Sequence, residues 1–115
     1  MYVLENLAMI KVLIVDDSSF MRVKIRSFLE TCPDIKIVGI ARNGLDAVEK
    51  THILMPDVIT MDINMPGLSG IQAVERIMRE CPTRILIVSS SPMKVPQKLW
   101  RLWKRVRWII STKIP

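Results

Sequence analysis

The sequence predicts an α/β fold, a doubly wound parallel sheet with helices on both faces, from three observations. Four short runs, Lys11 to Val15, Ile35 to Ile40, Val58 to Met61 and Arg84 to Val88, read as strands; the first, without apolar–polar alternation, reads as buried on both faces, and the fourth reads as buried too. The stretches between them carry apolar residues at helical spacing. The resulting order, βαβαβαβ, closes into one parallel sheet when its crossovers are right-handed.

Each element has its own local signal. After the first strand, Ser18 or Ser19 can cap a helix whose apolar residues Met21, Ile25, Phe28 and Leu29 run until Cys32-Pro33 stops it. Ile35 to Ile40 is the second strand. Asn43-Gly44 is a turn or cap, and Leu45 and Val48 open a second helix that ends before Pro56. The third strand, Val58 to Met61, leads into a loop rich in turn residues, Asn64-Met65-Pro66-Gly67-Leu68-Ser69-Gly70. Ile71, Val74, Ile77 and Met78 mark a third helix, closed by Cys81-Pro82 before the fourth strand.

Composition narrows the class. With 115 residues the chain is one small domain at most. No apolar run approaches the roughly 20 residues needed to span a bilayer, and Met1 to Leu7 lacks the basic flank and long apolar core of a signal peptide; the expected location is the cytoplasm. Cys32 and Cys81 show no metal-like spacing and read as reduced thiols. His52 reads as a surface or boundary residue on a helix. The net charge of +6 divides unevenly along the chain: residues 1–90 carry 10 Lys+Arg and 11 Asp+Glu, whereas residues 91–115 carry 7 Lys+Arg, no acid and the three tryptophans.

The chemistry sits at the strand ends. Asp16 and Asp17 end the first strand and Asp62 ends the third, so neighbouring parallel strands bring three carboxylates to one sheet edge, where ligand sites of α/β folds form. Such a cluster repels itself unless a divalent cation is shared, and oxygen-only ligands favour Mg2+ or another hard ion. A carboxylate beside bound Mg2+ is also a candidate phosphoryl acceptor.

Three motifs in order, Lys11-Val12-Leu13-Ile14-Val15-Asp16-Asp17-Ser18, Pro56-Asp57-Val58-Ile59-Thr60-Met61-Asp62-Ile63-Asn64-Met65-Pro66-Gly67 and Ile87-Val88-Ser89-Ser90, resemble the receiver domain of two-component response regulators over about residues 9–90. Within that family they are most similar to receivers of chemotaxis methylesterase-type regulators. The resemblance implies a flavodoxin-like sheet of strand order 2-1-3-4-5. It further implies that Asp62 is the phosphoacceptor, that Asp17 ligates Mg2+ directly with Asp62 and the main-chain carbonyl of Asn64, and that Asp16 acts through metal-bound water. Ser89 matches the switch hydroxyl. The implied partners are a chemotaxis-type histidine kinase and the chain's own missing effector domain, with no direct nucleic-acid contact. No Gly-x-Ser-x-Gly elbow or triad is visible, so no esterase activity of its own is expected.

The expected organisation is an N-terminal extension over 1–8, a receiver over 9–90 and an anomalous basic, Trp-rich tail over 91–115. A complete receiver continues with a helix, a fifth strand ending in lysine and proline, and a last helix, and the tail does not show that pattern. One explanation is a reading-frame shift near Ser90 to Pro92. Read one nucleotide earlier, Met93-Lys94 and Trp103-Lys104 must encode Glu and Trp108-Ile109 must encode Asp, and permitted codons elsewhere give a helix, a Gly-Ala-Val-Asp-Tyr strand and a lysine. On this explanation the last strand, its lysine and the last helix are missing or non-native, the fourth strand is an exposed edge, and the product is marginally stable or non-functional. The alternative is a binding module: Leu99, Leu102 or Trp103, Val106 and Ile109 or Ile110 sit at helical spacing against Lys98, Arg101, Arg105 and Lys113, as suits a membrane surface, nucleic acid or an acidic groove.

Overall fold

The computed structural model describes residues 9–62, 70–89, 101 and 109–113, which contain five strands and three helices. In chain order they are β1 (Ile10–Val15), α1 (Ser19–Leu29), β2 (Ile35–Ala41), α2 (Gly44–Leu54), β3 (Val58–Met61), α3 (Gly70–Glu80), β4 (Arg84–Ser89) and β5 (Ile109–Lys113). All strand pairs are parallel, and the order is β2-β1-β3-β4-β5. β1, β3 and β4 lie inside the sheet, which is why their sequences are predominantly apolar.

The two sheet faces bury different residues. On one, Leu13 and Val15 of β1, Ile59 and Met61 of β3, and Ile85 and Ile87 of β4 pack with Ala47 and Val48 of α2 and Ala73, Val74, Ile77 and Met78 of α3. On the other, Val12, Ile14 and Val88 pack with Ile25 of α1, flanked by half-buried Leu29, Val58 and Leu86. Alternate residues of one strand therefore serve different helices, as the period-2 geometry of a strand demands.

Helix starts follow local chemistry. Ser18 is the cap of α1, its hydroxyl accepting from the Met21 N–H at 3.3 Å, and Asn43 caps α2, accepting from the Asp46 N–H at 2.8 Å. α2 ends on Met55 in the left-handed conformation, φ 48°. Two side chains assigned to helical apolar faces lie elsewhere: Phe28 and Leu45 are exposed, because the sides of the helices turned to the core are those of Met21, Ile25 and Leu29 in α1 and of Ala47, Val48, Thr51 and Leu54 in α2.

The expectation of a missing fifth strand and an open β4 edge is corrected. Residues 109–113 pair in parallel with β4, from Ile85 opposite Ile109 to Ser89 opposite Lys113. Ile109-Ile110-Ser111-Thr112 is rich in β-branched residues, which suit a pleated ladder better than a helix, and β4 offers it unpaired main-chain groups. Ile109 and Ile110 are accordingly strand residues and do not continue a helical apolar stripe. Apart from Arg101, the remainder of the supposed tail helix lies outside the described residues.

Candidate functional site

The site grows from the carboxyl ends of β1 and β3. Main-chain pairing continues one residue past each strand: the Asp16 N–H donates to the Ala41 carbonyl and the Asp62 N–H to the Val15 carbonyl, both at 3.0 Å. Asp62 is thereby tied to the residue immediately before Asp16. The turn out of β1 is closed by two further bonds, from the Ser18 N–H to Asp16 Oδ1 and from Arg22 Nη1 to the Asp16 main-chain carbonyl, each 2.8 Å.

As expected from the sequence, Asp16, Asp17 and Asp62 come together, with one carboxylate oxygen of each within 4.8 Å of the others. Asp16 is buried at 2% exposure, Asp62 is half-buried and Asp17 is exposed. Burial pushes the Asp16 carboxyl above the ordinary carboxylate range; the Ser18 N–H opposes this, the charges of Asp62 and Asp17 add to it, and Arg22 opposes it. A hard divalent cation fits this donor set of three carboxylates, whose negative charges it would neutralise. The same edge also carries the half-buried Asp62 carboxylate, a group chemically able to act as a nucleophile beside such a cation.

Ser89 ends β4. Met61 pairs with Ile87, so β4 runs two residues further and brings the Ser89 main chain to the edge that Asp62 occupies. Asn64 lies outside the described residues. The main chain of Lys113 ends β5 in register with Ser89. Its signal in the sequence was a β-branched run followed by Lys113 and, two residues later, Pro115. Arg22 was not singled out by the sequence, because an arginine one turn into a helix is common and its reach back to Asp16 is a tertiary fact.

Elsewhere on the surface, His52 Nε2 of α2 meets Glu80 Oε1 of α3 at 2.9 Å, and Arg76 Nε donates to Glu80 Oε2 at 3.0 Å. The first contact joins α2 to α3, and the second is an i,i+4 pair within α3. Cys32 and Cys81 are both free. No helix among the described residues is long and apolar enough to cross a membrane.

Comparison with known proteins bears on the whole arrangement. Residues 12–99 match the response regulator receiver domain. The chain is 56% identical over 81 residues to a protein-glutamate methylesterase/protein-glutamine glutaminase of Thermotoga maritima, covering 70% of this chain and 24% of that protein. It therefore spans about a quarter of the length of such relatives. Among solved structures, the response regulator domain of Thermotoga maritima CheB superposes with a TM-score of 0.78 at 43% identity, covering 92% of this chain and 77% of that one. The CheX-CheY-BeF3-Mg+2 complex from Borrelia burgdorferi gives a TM-score of 0.72 at 29% identity, covering 92% of this chain and 80% of that one.

Proposed function

The chain belongs to the response regulator receiver domain family, and on that premise we propose that it accepts a phosphoryl group on Asp62 from a chemotaxis-type histidine kinase, with Mg2+. The observation that carries this is the convergence of Asp16, Asp17 and Asp62 on one sheet edge. Additional support comes from the Borrelia burgdorferi neighbour, whose complex contains both BeF3 and Mg2+.

In this reading a carboxylate oxygen of Asp62 attacks the phosphorus of a phosphohistidine. An O–P bond forms, the N–P bond breaks, and its electron pair leaves on the imidazole nitrogen, which takes a proton. Bound Mg2+ supplies positive charge against which the phosphoryl oxygens and the three acids cease to repel one another. Asp17, Asp62 and the Asn64 main-chain carbonyl would hold it, with Asp16 acting through water. Ser89 is the switch hydroxyl that hydrogen-bonds the phosphoryl group and couples it to the following segment. Lys113, placed beside Ser89 by strand register, is proposed to supply the charge that the fifth-strand lysine gives in the family. The cytoplasm is the proposed location, and an effector domain of the methylesterase type is the proposed downstream element.

The binding-module alternative has no support. Residues 109–113, which it needs in an amphipathic helix, are a strand of the sheet.

The test is labelling of the 115-residue chain with a small phosphodonor. The expected result is an acid-stable, base-labile label that needs Mg2+ and is abolished by Asp62→Asn. Equal labelling of the Asp62→Asn chain, or no label on the unaltered chain, overturns the proposal.

A further inference from the structure

We infer that Arg22 is a positioning residue that aims Asp17 at the metal site. The inference rests on the reading above, that Asp16, Asp17 and Asp62 hold a divalent cation. It starts from a contrast within the acid turn. Asp16 is anchored on every side: its N–H bonds to the Ala41 carbonyl, its Oδ1 accepts from Ser18, and its main-chain carbonyl accepts from Arg22. Asp17, by contrast, is exposed, and its carboxylate has no hydrogen-bond partner among the described residues.

With no partner on the carboxylate, the main chain is what constrains the direction in which the Asp17 Cα–Cβ bond leaves the turn. The Asp16 carbonyl and the Asp17 N–H belong to one planar peptide unit, so a donor fixed on that carbonyl fixes the plane from which the Asp17 Cα departs. Arg22 Nη1 is that donor, at 2.8 Å. Arg22 is itself held, because its own N–H donates to the Ser18 carbonyl at 2.9 Å inside a helix capped by Ser18. β1, the acid turn and the first turn of α1 thus form a closed loop of hydrogen bonds with Arg22 as the long strut.

Charge and position make opposite demands, and this gives the test its sign. A fixed positive charge near three carboxylates repels an incoming cation, so an arginine acting through charge alone weakens Mg2+ binding, and its removal strengthens it. An arginine acting as a strut strengthens binding, and its removal weakens it. Loss of a partner that orients a metal ligand costs about tenfold or more in affinity.

The experiment is calorimetric Mg2+ titration of the 115-residue chain and its Arg22→Met and Arg22→Lys variants, with circular dichroism confirming the fold of each. Arg22→Met is expected to bind Mg2+ about tenfold more weakly, and Arg22→Lys, which keeps a donor, to recover part of the loss. Unchanged or tighter binding by Arg22→Met overturns the inference while leaving the metal reading intact. If Arg22→Met fails to fold, Arg22→Gln is read by the same criterion. Absence of an isotherm for the unaltered chain, or one unaffected by Asp62→Asn, overturns the metal reading and this inference with it.

Discussion

The main-chain N–H of Asp62 donates to the carbonyl of Val15 at 3.0 Å, one residue beyond the last β1–β3 pair. This bond brings a carboxylate from position 62 beside those at 16 and 17, and the fold holds the three acids together through their main chains. The cost of this placement falls on Asp16, the most buried of the three, whose carboxyl is pushed up chiefly by burial and further by the charges of Asp62 and Asp17.

Asp16→Asn is expected to stabilise the metal-free chain by about 1 kcal/mol while weakening Mg2+ binding at least about tenfold. Asn keeps the acceptor used by the Ser18 N–H but removes the charge. Because burial raises the proton affinity of Asp16 in the folded state, its contribution to stability is fully present below the ordinary carboxylate range and is lost as pH rises through the folded value. The gain from Asn should therefore appear at neutral pH and shrink in acid, as read by thermal melts with and without Mg2+. A neutral-pH melt below that of the unaltered chain would contradict it.

Thr60→Val should raise stability by about 1 kcal/mol. The Thr60 hydroxyl is buried with no hydrogen-bond partner among the described residues, and by register its strand neighbours are Ile14 and Leu86. Val keeps the shape and removes the unsatisfied group. Urea midpoints at equal m-value measure it, and a lower midpoint for Val refutes the account.

Met55→Gly is expected to stabilise the chain by about 0.5–1 kcal/mol. Met55 has φ 48° at the end of α2 and is 72% exposed, so glycine relieves the backbone while sacrificing little packing. Met55→Val, β-branched at the same positive φ, should move the midpoint the other way.

Ile59→Ala should cost about 2–5 kcal/mol, since Ile59 is fully buried between α2, α3 and the flanking strands. Phe28→Ser, at a position 71% exposed, should stay within about 0.5 kcal/mol. Comparable losses at both positions would show that the apolar face of α1 is wrongly assigned.

Glu80→Gln tests the link between α2 and α3. Arg76 first, and then His52, hold the Glu80 carboxyl below its ordinary range. A depressed carboxylate contributes stability above its ordinary range and loses it as pH falls through the folded value. The melting temperatures of the two chains should therefore differ most near neutral pH and converge in acid. A difference that grows on acidification would be the wrong sign.

The first four strands, their parallel order and the acid cluster were legible in the chain itself. Continuous apolar runs such as Val12 to Val15 and Val58 to Met61 leave little choice but a doubly covered sheet, and carboxylates directly after them must lie at its edge. In the same local way the cap positions were legible, as Ser18 or Ser19 and as Asn43-Gly44, a turn or cap, and the structure uses Ser18 and Asn43. Phe28 and Leu45 were misplaced because helical spacing marks an apolar stripe without stating how much of it the sheet can reach.

By itself, then, the sequence determined what is local or periodic: the strands, the caps and the identity of the three acids. The tertiary structure decided whatever depends on a partner distant in the chain. Ile109 to Lys113 is ambiguous alone and becomes a strand because β4 presents unpaired main-chain groups to it, which also sets Lys113 beside Ser89. Arg22 is an ordinary helix residue until the turn from β1 brings the Asp16 carbonyl within 2.8 Å of its guanidinium. The physical reason is the same in both cases: a hydrogen bond needs its acceptor in place, and only the folded chain supplies one.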